Sequence, residues 1–280
     1  MEGYFDFACR EDIPALQEMW RQCFETEDEY SNFYFESRFI PEDTLIWRID
    51  GKAVSMMTLM DVSIGQEQGS YIYAVATLPQ FQRRGIYREL DRRADDEIRR
   101  RGGSFSCLVP ASPDLFPMYR KLGYDTAFFV NEGIVKGRAR AFYEFSPCSF
   151  DEFWKLREGY LATLINPVCH PKRELQYIYE ELRRFSGDIL LYEEENRICY
   201  AAFTCAEDGI YLRECSGSSP ERVARSLMAR YGKKFAKVHS PIPGKKLEMV
   251  PFGMGKWLKG GTSSLREHLG ETGYMALMLD

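Results

Sequence analysis

Residues 74–90 read AVATLPQFQRRGIYREL, from Ala74 to Leu90, and pass from a β-rich run through a basic loop with one glycine into a charged helical stretch. A helix that starts just after such a loop leaves its first backbone N–H groups without partners inside the helix, and its dipole favours negative charge there. Arg83 and Arg84 add positive charge, and Gly85 permits close approach of a ligand to the backbone where a Cβ would intrude. The stretch therefore fits an anion or phosphate site. One glycine among arginines ahead of a helix is also a common solvated turn, so the loop alone leaves both readings open.

Working outward, the preceding chain changes period. Ile13, Leu16, Met19, Trp20 and Cys23 lie at helical spacing in Asp12–Phe24, and Phe33, Tyr34, Phe35 and Phe39 mark a second short helix ending before Pro41. Strands are expected at 44–49 and 53–62, joined by Asp50-Gly51, a pair that readily takes the positive φ values of a tight hairpin; another is expected at 69–77. Beyond the loop, Ile86, Leu90, Ala94 and Ile98 form one apolar face of a helix over 86–101, stopped by Gly102-Gly103. A buried strand at 104–109, a short helix at 115–122 closed by Gly123, and a strand at 124–135 complete an α/β class of fold, a mixed α+β sheet with flanking helices.

From Ser149 the order begins again. Helices are expected at 150–164 and 172–185, a hairpin at 189–204 turning around Glu194–Asn196, then a strand at 209–215, a helix at 220–231 and a strand at 235–239. Both series run helix, helix, hairpin, strand, helix, strand, which points to an internal duplication with boundaries at 1–138 and 139–280. The apolar end, 274–279, reads as a terminal strand.

Length and composition set limits on the function. The 280 residues, about twice the commonest domain size, accommodate two domains, and 45% hydrophobic residues supply a core and argue against disorder. A net charge of −5 disfavours a protein whose main task is gripping nucleic acid. Arg92, Arg93 and Arg99–Arg101 are more simply a solvated helix face, offset by Asp91, Asp95, Asp96 and Glu97. No apolar run approaches the ~20 residues of a spanning helix, and the N-terminal stretch has no apolar signal region, so a cytoplasmic location and no membrane partner are expected. Eight cysteines without a CxxC pair, and three scattered histidines, fit reduced core thiols and no metal site.

The loop Gln82-Arg83-Arg84-Gly85-Ile86-Tyr87 resembles the coenzyme A loop of the GCN5-related N-acetyltransferase superfamily, Q/R-x-x-G-x-G/A, at its first and fourth positions; Tyr87 departs from it where a small residue is usual. Tyr119-Arg120-Lys121-Leu122-Gly123-Tyr124, about 30 residues on, is similar to that family's Y-x-K-x-G-F/Y helix. Within it, the tandem enhanced intracellular survival type is most alike. The resemblance implies an acyl-CoA N-acyltransferase fold in two tandem copies, of which the second, with Cys215–Glu221 at its loop, is degenerate and binds no coenzyme A. It implies acetyl-CoA as cosubstrate, with Val75, Ala76 and Thr77 along the pantetheine arm and the amides of Arg83–Tyr87 on the pyrophosphate.

What the resemblance implies for chemistry is direct attack of an amine on the thioester, with no covalent enzyme intermediate and no metal. Tyr119 is the general acid for the departing thiolate, the Val75 amide stabilises the oxyanion, and the side chain of Tyr87 points away from the diphosphate. The base is open: Tyr71 and Tyr73 stand where many relatives place a glutamate, the nearest carboxylate in sequence is Glu67, and tandem relatives use their terminal carboxylate, here Asp280. Cys107 is read as a packed thiol rather than a nucleophile. A small-molecule or peptide amine is the expected acceptor; the acids Glu25, Glu27, Asp28 and Glu29 fit either a patch that draws it or a plain solvated face, and Tyr30, Phe33 and Phe35 either channel or core residues. A homo-oligomer stays open, and a noncatalytic acyl-CoA sensor or interaction protein of the same fold is the alternative.

Overall fold

The computed structural model describes residues 3–24, 28–260 and 264–279. It separates into two compact units, one comprising 1–125 and 254–268, the other 126–253 and 269–280.

The first unit contains β1 (Gly3–Phe7), α1 (Ile13–Phe24), α2 (Asp28–Ser37), β2 (Thr44–Ile49), β3 (Lys52–Ile64), β4 (Glu67–Thr77), α3 (Ile86–Arg100), β5 (Phe105–Leu108) and α4 (Phe116–Arg120). Its strands run in the order β1-β2-β3-β4-β5. The first four pair antiparallel, and β5 is parallel to β4 because α3 carries the chain back across the sheet. Asp50 and Gly51, at φ 49° and 77°, make the two-residue turn between β2 and β3. Leu90, Ala94 and Ile98 of α3 are buried among Leu45, Met57, Leu59, Ile72 and Leu108, so the apolar face legible in the sequence is the face that packs on the sheet.

The second unit contains β6 (Asp125–Lys136), β7 (Ser146–Pro147), α5 (Phe150–Leu161), α6 (Lys172–Arg184), β8 (Gly187–Glu194), β9 (Arg197–Cys205), β10 (Gly209–Cys215), α7 (Pro220–Tyr231) and β11 (Phe235–Ser240). Its strand order is β6-β11-β10-β9-β8-β7. The β8–β9 and β9–β10 pairs are antiparallel and β10–β11 is parallel, as β2–β3, β3–β4 and β4–β5 are in the first unit. From β1 to β5 and from β7 to β11 the two units thus repeat the same order of strands and α-helices with the same strand senses. β12 (Glu248–Trp257) begins in the second unit, and its residues from Met254 pair antiparallel with β5 in the first; α8 (Leu265–Leu269) follows.

Several elements differ from the sequence-based reading. The compact units do not divide at 138/139, because β6 pairs residue for residue with β11, from Lys136↔Phe235 to Asn131↔Ser240. The end of the chain, expected to be a strand, is buried from Tyr274 to Leu279 but forms only one isolated bridge, Tyr274 with Pro167. Arg157 and Arg213 donate to the carbonyls of Ala276 and Met278, and Leu277 sits at φ 53°, which breaks an extended path. β1 is only five residues long, and β12 carries Pro251, Gly253 and Gly255, so neither displayed a strand pattern. All eight cysteines are free thiols, and no described helix is long and apolar enough to cross a membrane.

Candidate active site

The site is built on a fault in β4. Met56 pairs with Ala76 and Thr58 with Tyr73, so Ala74 and Val75 together oppose Met57, and Ala74 takes φ 50°. An extra residue of this kind bends the strand and interrupts its ladder. On the opposite side β4 pairs with β5 only from Gly69↔Phe105 to Tyr71↔Cys107. Among the described residues the ladder goes no further, which leaves the β5-facing edge of Val75–Thr77 open.

The chain then turns through a 3-10 turn at Pro79–Phe81 into the loop ahead of α3. Arg83 and Gly85 are left-handed, at φ 60° and 79°, and a Cβ built on Gly85 would meet nothing within 4 Å. The first backbone bond of the helix runs from Glu89 N–H to the Gly85 carbonyl at 3.2 Å. The amides before it face out of the helix end, where they and the helix dipole attract an anion. Gln82 Nε2 donates to the Thr77 carbonyl at 3.0 Å and ties the loop to the strand.

A groove of about 500 Å³ joins this loop to α4. Val75, Thr77, Gln82, Arg83, Gly85, Ile86, Tyr87 and Tyr119 all line it. Two residues expected at the site lie apart from the groove: Ala76 is buried against β3, and the Arg84 guanidinium stacks over the Phe81 ring at 5.2 Å. Tyr87 packs its ring inward, edge-on to Tyr119 with centroids 6.1 Å apart, so its bulk is spent on the core side of the helix. A small residue is therefore not required at that position.

Tyr119 is 8% exposed, and burial raises its phenol above the ordinary tyrosine value, with the Asp91 charge adding to the effect and the Tyr87 hydroxyl opposing it. Behind it lies a buried ionic cluster that nothing in the sequence pattern indicated. Lys256 Nζ is 2.8 Å from Asp91 Oδ2 and 2.8 Å from Asp95 Oδ2; Tyr124 donates to Asp91 Oδ1 at 2.9 Å, and its ring lies under the Lys256 ammonium at 4.4 Å. Asp91 and Asp95 are one turn apart on α3, but Lys256 is 165 residues from Asp91, so only the fold unites them.

Cys107 is fully buried, which pushes its thiol well up and leaves it inert. Glu67 is engaged by Ser104 at 2.6 Å and Lys259 at 3.2 Å, at the far end of β4. Tyr30 and Tyr73 share a hydrogen bond of 3.0 Å within a cluster of aromatic rings around Trp20 that also includes Tyr34 and Phe35. Phe33 and Phe35 are buried, whereas Tyr30 is half-buried. Glu25, Glu27 and Asp280 lie outside the described residues. A second groove, about 660 Å³, opens on the other side of Phe81, but its Arg48 is already paired with Asp12 at 2.7 Å, an interaction that holds Asp12 at about 2. Most of the arginines of α3 are likewise paired along the helix, for example Arg92 with Glu89 and Asp96. Among the described residues no group of three or more His, Cys, Asp and Glu is arranged to hold a metal.

The corresponding loop of the second unit, Cys215–Glu221, is occupied by the chain itself. The Glu194 carboxylate accepts from the Ser218 amide at 2.5 Å, from the Ser218 hydroxyl at 3.0 Å and from the Tyr143 hydroxyl. Partial burial would raise Glu194, but these hydrogen bonds outweigh it and hold the group below the ordinary glutamate value. Gly217 is needed there for space: a Cβ would lie 2.2 Å from the Tyr192 hydroxyl and 2.7 Å from Glu194 Oε2.

The bulged strand, the basic turn and the helix that carries Tyr119 thus border one groove. Residues 6–127 match the acetyltransferase (GNAT) domain family. Solved structures share the wider fold. A GCN5-related N-acetyltransferase from Anabaena variabilis ATCC 29413 superposes with a TM-score of 0.71 at 16% identity, covering 92% of this chain and 73% of that one. A conserved protein of unknown function from Enterococcus faecalis V583, described as a probable N-acyltransferase, gives 0.69 at 14% identity, covering 94% and 74%. Eis1 from Mycobacterium abscessus gives 0.65 at 12% identity, covering 91% and 74%. No curated protein matches the chain. The family is one of acyltransferases that act on an amine-bearing acceptor.

Proposed function

We propose that the protein transfers an acetyl group from acetyl-CoA to a primary amine by direct attack, with Tyr119 as general acid. The observation that carries the reading is the single groove in which Tyr119, the Gly85 turn and the open edge of β4 meet. Val75–Thr77 pair with the amide-rich arm of the donor, while the amides of Arg83–Tyr87 and the Arg83 charge hold its diphosphate. The space beside Gly85 fits this use, since any side chain there would enter the anion's position. The Val75 amide donates to the oxyanion that develops on the acyl carbonyl, and Tyr119 protonates the leaving thiolate. A phenol kept protonated by burial suits that task, because it arrives at the reaction loaded.

The test is release of free thiol from acetyl-CoA in the presence of polyamines, aminoglycosides or peptide N-termini. Thiol release that depends on one of these amines is the expected result. Saturable binding without turnover on any of them would instead favour an acyl-CoA sensor, and no binding would remove both readings.

A further inference from the structure

Charge is distributed unevenly between the two grooves of the first unit. The groove at the Gly85 turn is lined by Arg83, Arg88 and Lys121 and by no Asp or Glu, in a chain whose net charge is −5. The groove beyond Phe81 mixes signs, with Asp12, Glu18 and Asp50 against Arg48 and Lys52. Arginines further along α3 are neutralised from within: Arg92 and Arg93 pair with Glu89, Arg99 with Asp96, and Arg100 and Arg101 with Glu97. Among the described residues Arg83, Arg88 and Lys121 form no ion pair. Arg88 also stands against the helix dipole. It lies in the first turn of α3, where the positive helix end repels a cation, and the acid of that turn, Glu89, is engaged by Arg92 and Arg93. A local penalty without an internal partner marks a place where an outside anion completes the balance.

The loop amides and the Arg83 charge answer the diphosphate of the donor, which leaves Arg88 and Lys121 for a second anionic group. On the α4 side of the same groove Leu115, Leu122 and Met118, the last 38% exposed, supply apolar surface around Lys121. A flat base joined to a ribose phosphate presents the matching pair of surfaces, one apolar and one strongly negative. We propose that Arg88 and Lys121 form a second anion subsite for the ribose phosphate of coenzyme A, with the adenine against Met118, so that the protein selects CoA thioesters over acyl donors that lack this phosphate. This rests on the acyltransferase reading above. The other source of a second negative group, an acidic carrier protein bearing a phosphopantetheine arm, lacks the flat base that the apolar surface fits.

The experiment measures calorimetric affinities of the parent chain, Arg88→Gln, Lys121→Gln and the double variant for acetyl-CoA and for acetyl-dephospho-CoA, which lacks only the ribose phosphate. The parent is expected to bind acetyl-CoA about tenfold more tightly than the dephospho donor, by a margin that narrows in high salt. Each single variant should lose part of that margin and the double variant all of it, with affinity for the dephospho donor held within about twofold. Both side chains are exposed, so neither change threatens the fold, and Arg88→Lys should keep most of the margin. Equal affinity of the parent for the two donors overturns the subsite and leaves the acyltransferase reading standing. Losses that fall equally on both donors overturn it in favour of contacts to the diphosphate. Preference for an acetylated acidic carrier protein over acetyl-CoA overturns it as well. A parent chain that binds neither CoA donor overturns the acyltransferase reading and the subsite with it.

Discussion

The two units place the same device at the end of corresponding strands, β4 and β10, and use it in opposite ways. In the first, β4 bulges at Ala74–Val75 and leads to a turn whose amides open on a groove. In the second, β10 shifts register at Arg213 and leads to a turn whose Ser218 amide already holds the Glu194 carboxylate. The residues after the second bulge are also engaged. Glu214 pairs with buried Arg157 at 2.8 Å and accepts from Tyr200 and Tyr274, while Arg213 donates to the Met278 carbonyl at 2.6 Å. A helix N-terminus attracts whatever anion reaches it, including one from its own chain. The presence or absence of an internal carboxylate therefore separates an open anion site from a filled one, and we propose that only the first loop binds coenzyme A.

The strongest way to break this contrast is to supply the first loop with the anion that the second one has. Gly85→Glu is expected to weaken acetyl-CoA binding by about 100-fold or more, through bulk, like charge and loss of a left-handed glycine. Calorimetric affinity equal to the parent would remove the loop from the site. Next in size, Tyr119→Phe should lower kcat by about 10- to 100-fold while leaving donor affinity nearly unchanged. Parental turnover in that variant would discard the acid role.

On the second loop, Glu194→Gln should cost about 1 to 3 kcal/mol of stability at pH 7, because charge-assisted bonds to Ser218 and Tyr143 become neutral ones. It should not change acetyl-CoA affinity. Since the folded protein holds Glu194 below its ordinary value, the stabilisation is present above the unfolded carboxylate range and is lost as pH falls through the folded value. The stability gap between the variant and parent should therefore close in acid, as followed by thermal melts across pH; a gap independent of pH would argue against a charged Glu194. Asp95 behaves in the opposite sense. Raised to about 6, it makes the folded state bind more protons than the unfolded one between the ordinary aspartate range and pH 6, so its contribution declines as pH rises through that window. Asp95→Asn should flatten that decline, the smallest of the expected effects.

Much of the architecture was visible along the chain because its causes are local. Leu90, Ala94 and Ile98 advertise a helix face by their spacing, Asp50-Gly51 a turn by its φ preferences, and the strand at 209–215 and helix at 220–231 occur within the bounds read from the sequence. The terminal run 274–279 shows the limit. Apolar residues guarantee burial, but whether the backbone joins a ladder depends on which partners answer its carbonyls, and here these include the guanidinium groups of Arg157 and Arg213. β12 was illegible for the converse reason, since its pairing with β5 overrides a proline and two glycines.

The site divides along the same line. The sequence by itself determined the basic turn, its glycine and the order of a strand, a loop, a helix and a tyrosine, since each follows from neighbouring residues. Only the tertiary structure decided that Tyr87 turns toward Tyr119, that β4 bulges where its edge must open, and that Lys256 joins Asp91 and Asp95 across 165 residues of chain. It also decided that Glu194 enters the second loop. Spacing fixes the periodicity and turns of a chain, but long-range electrostatics and packing choose which distant side chain arrives at a helix end, and that choice separates an anion site from a closed one.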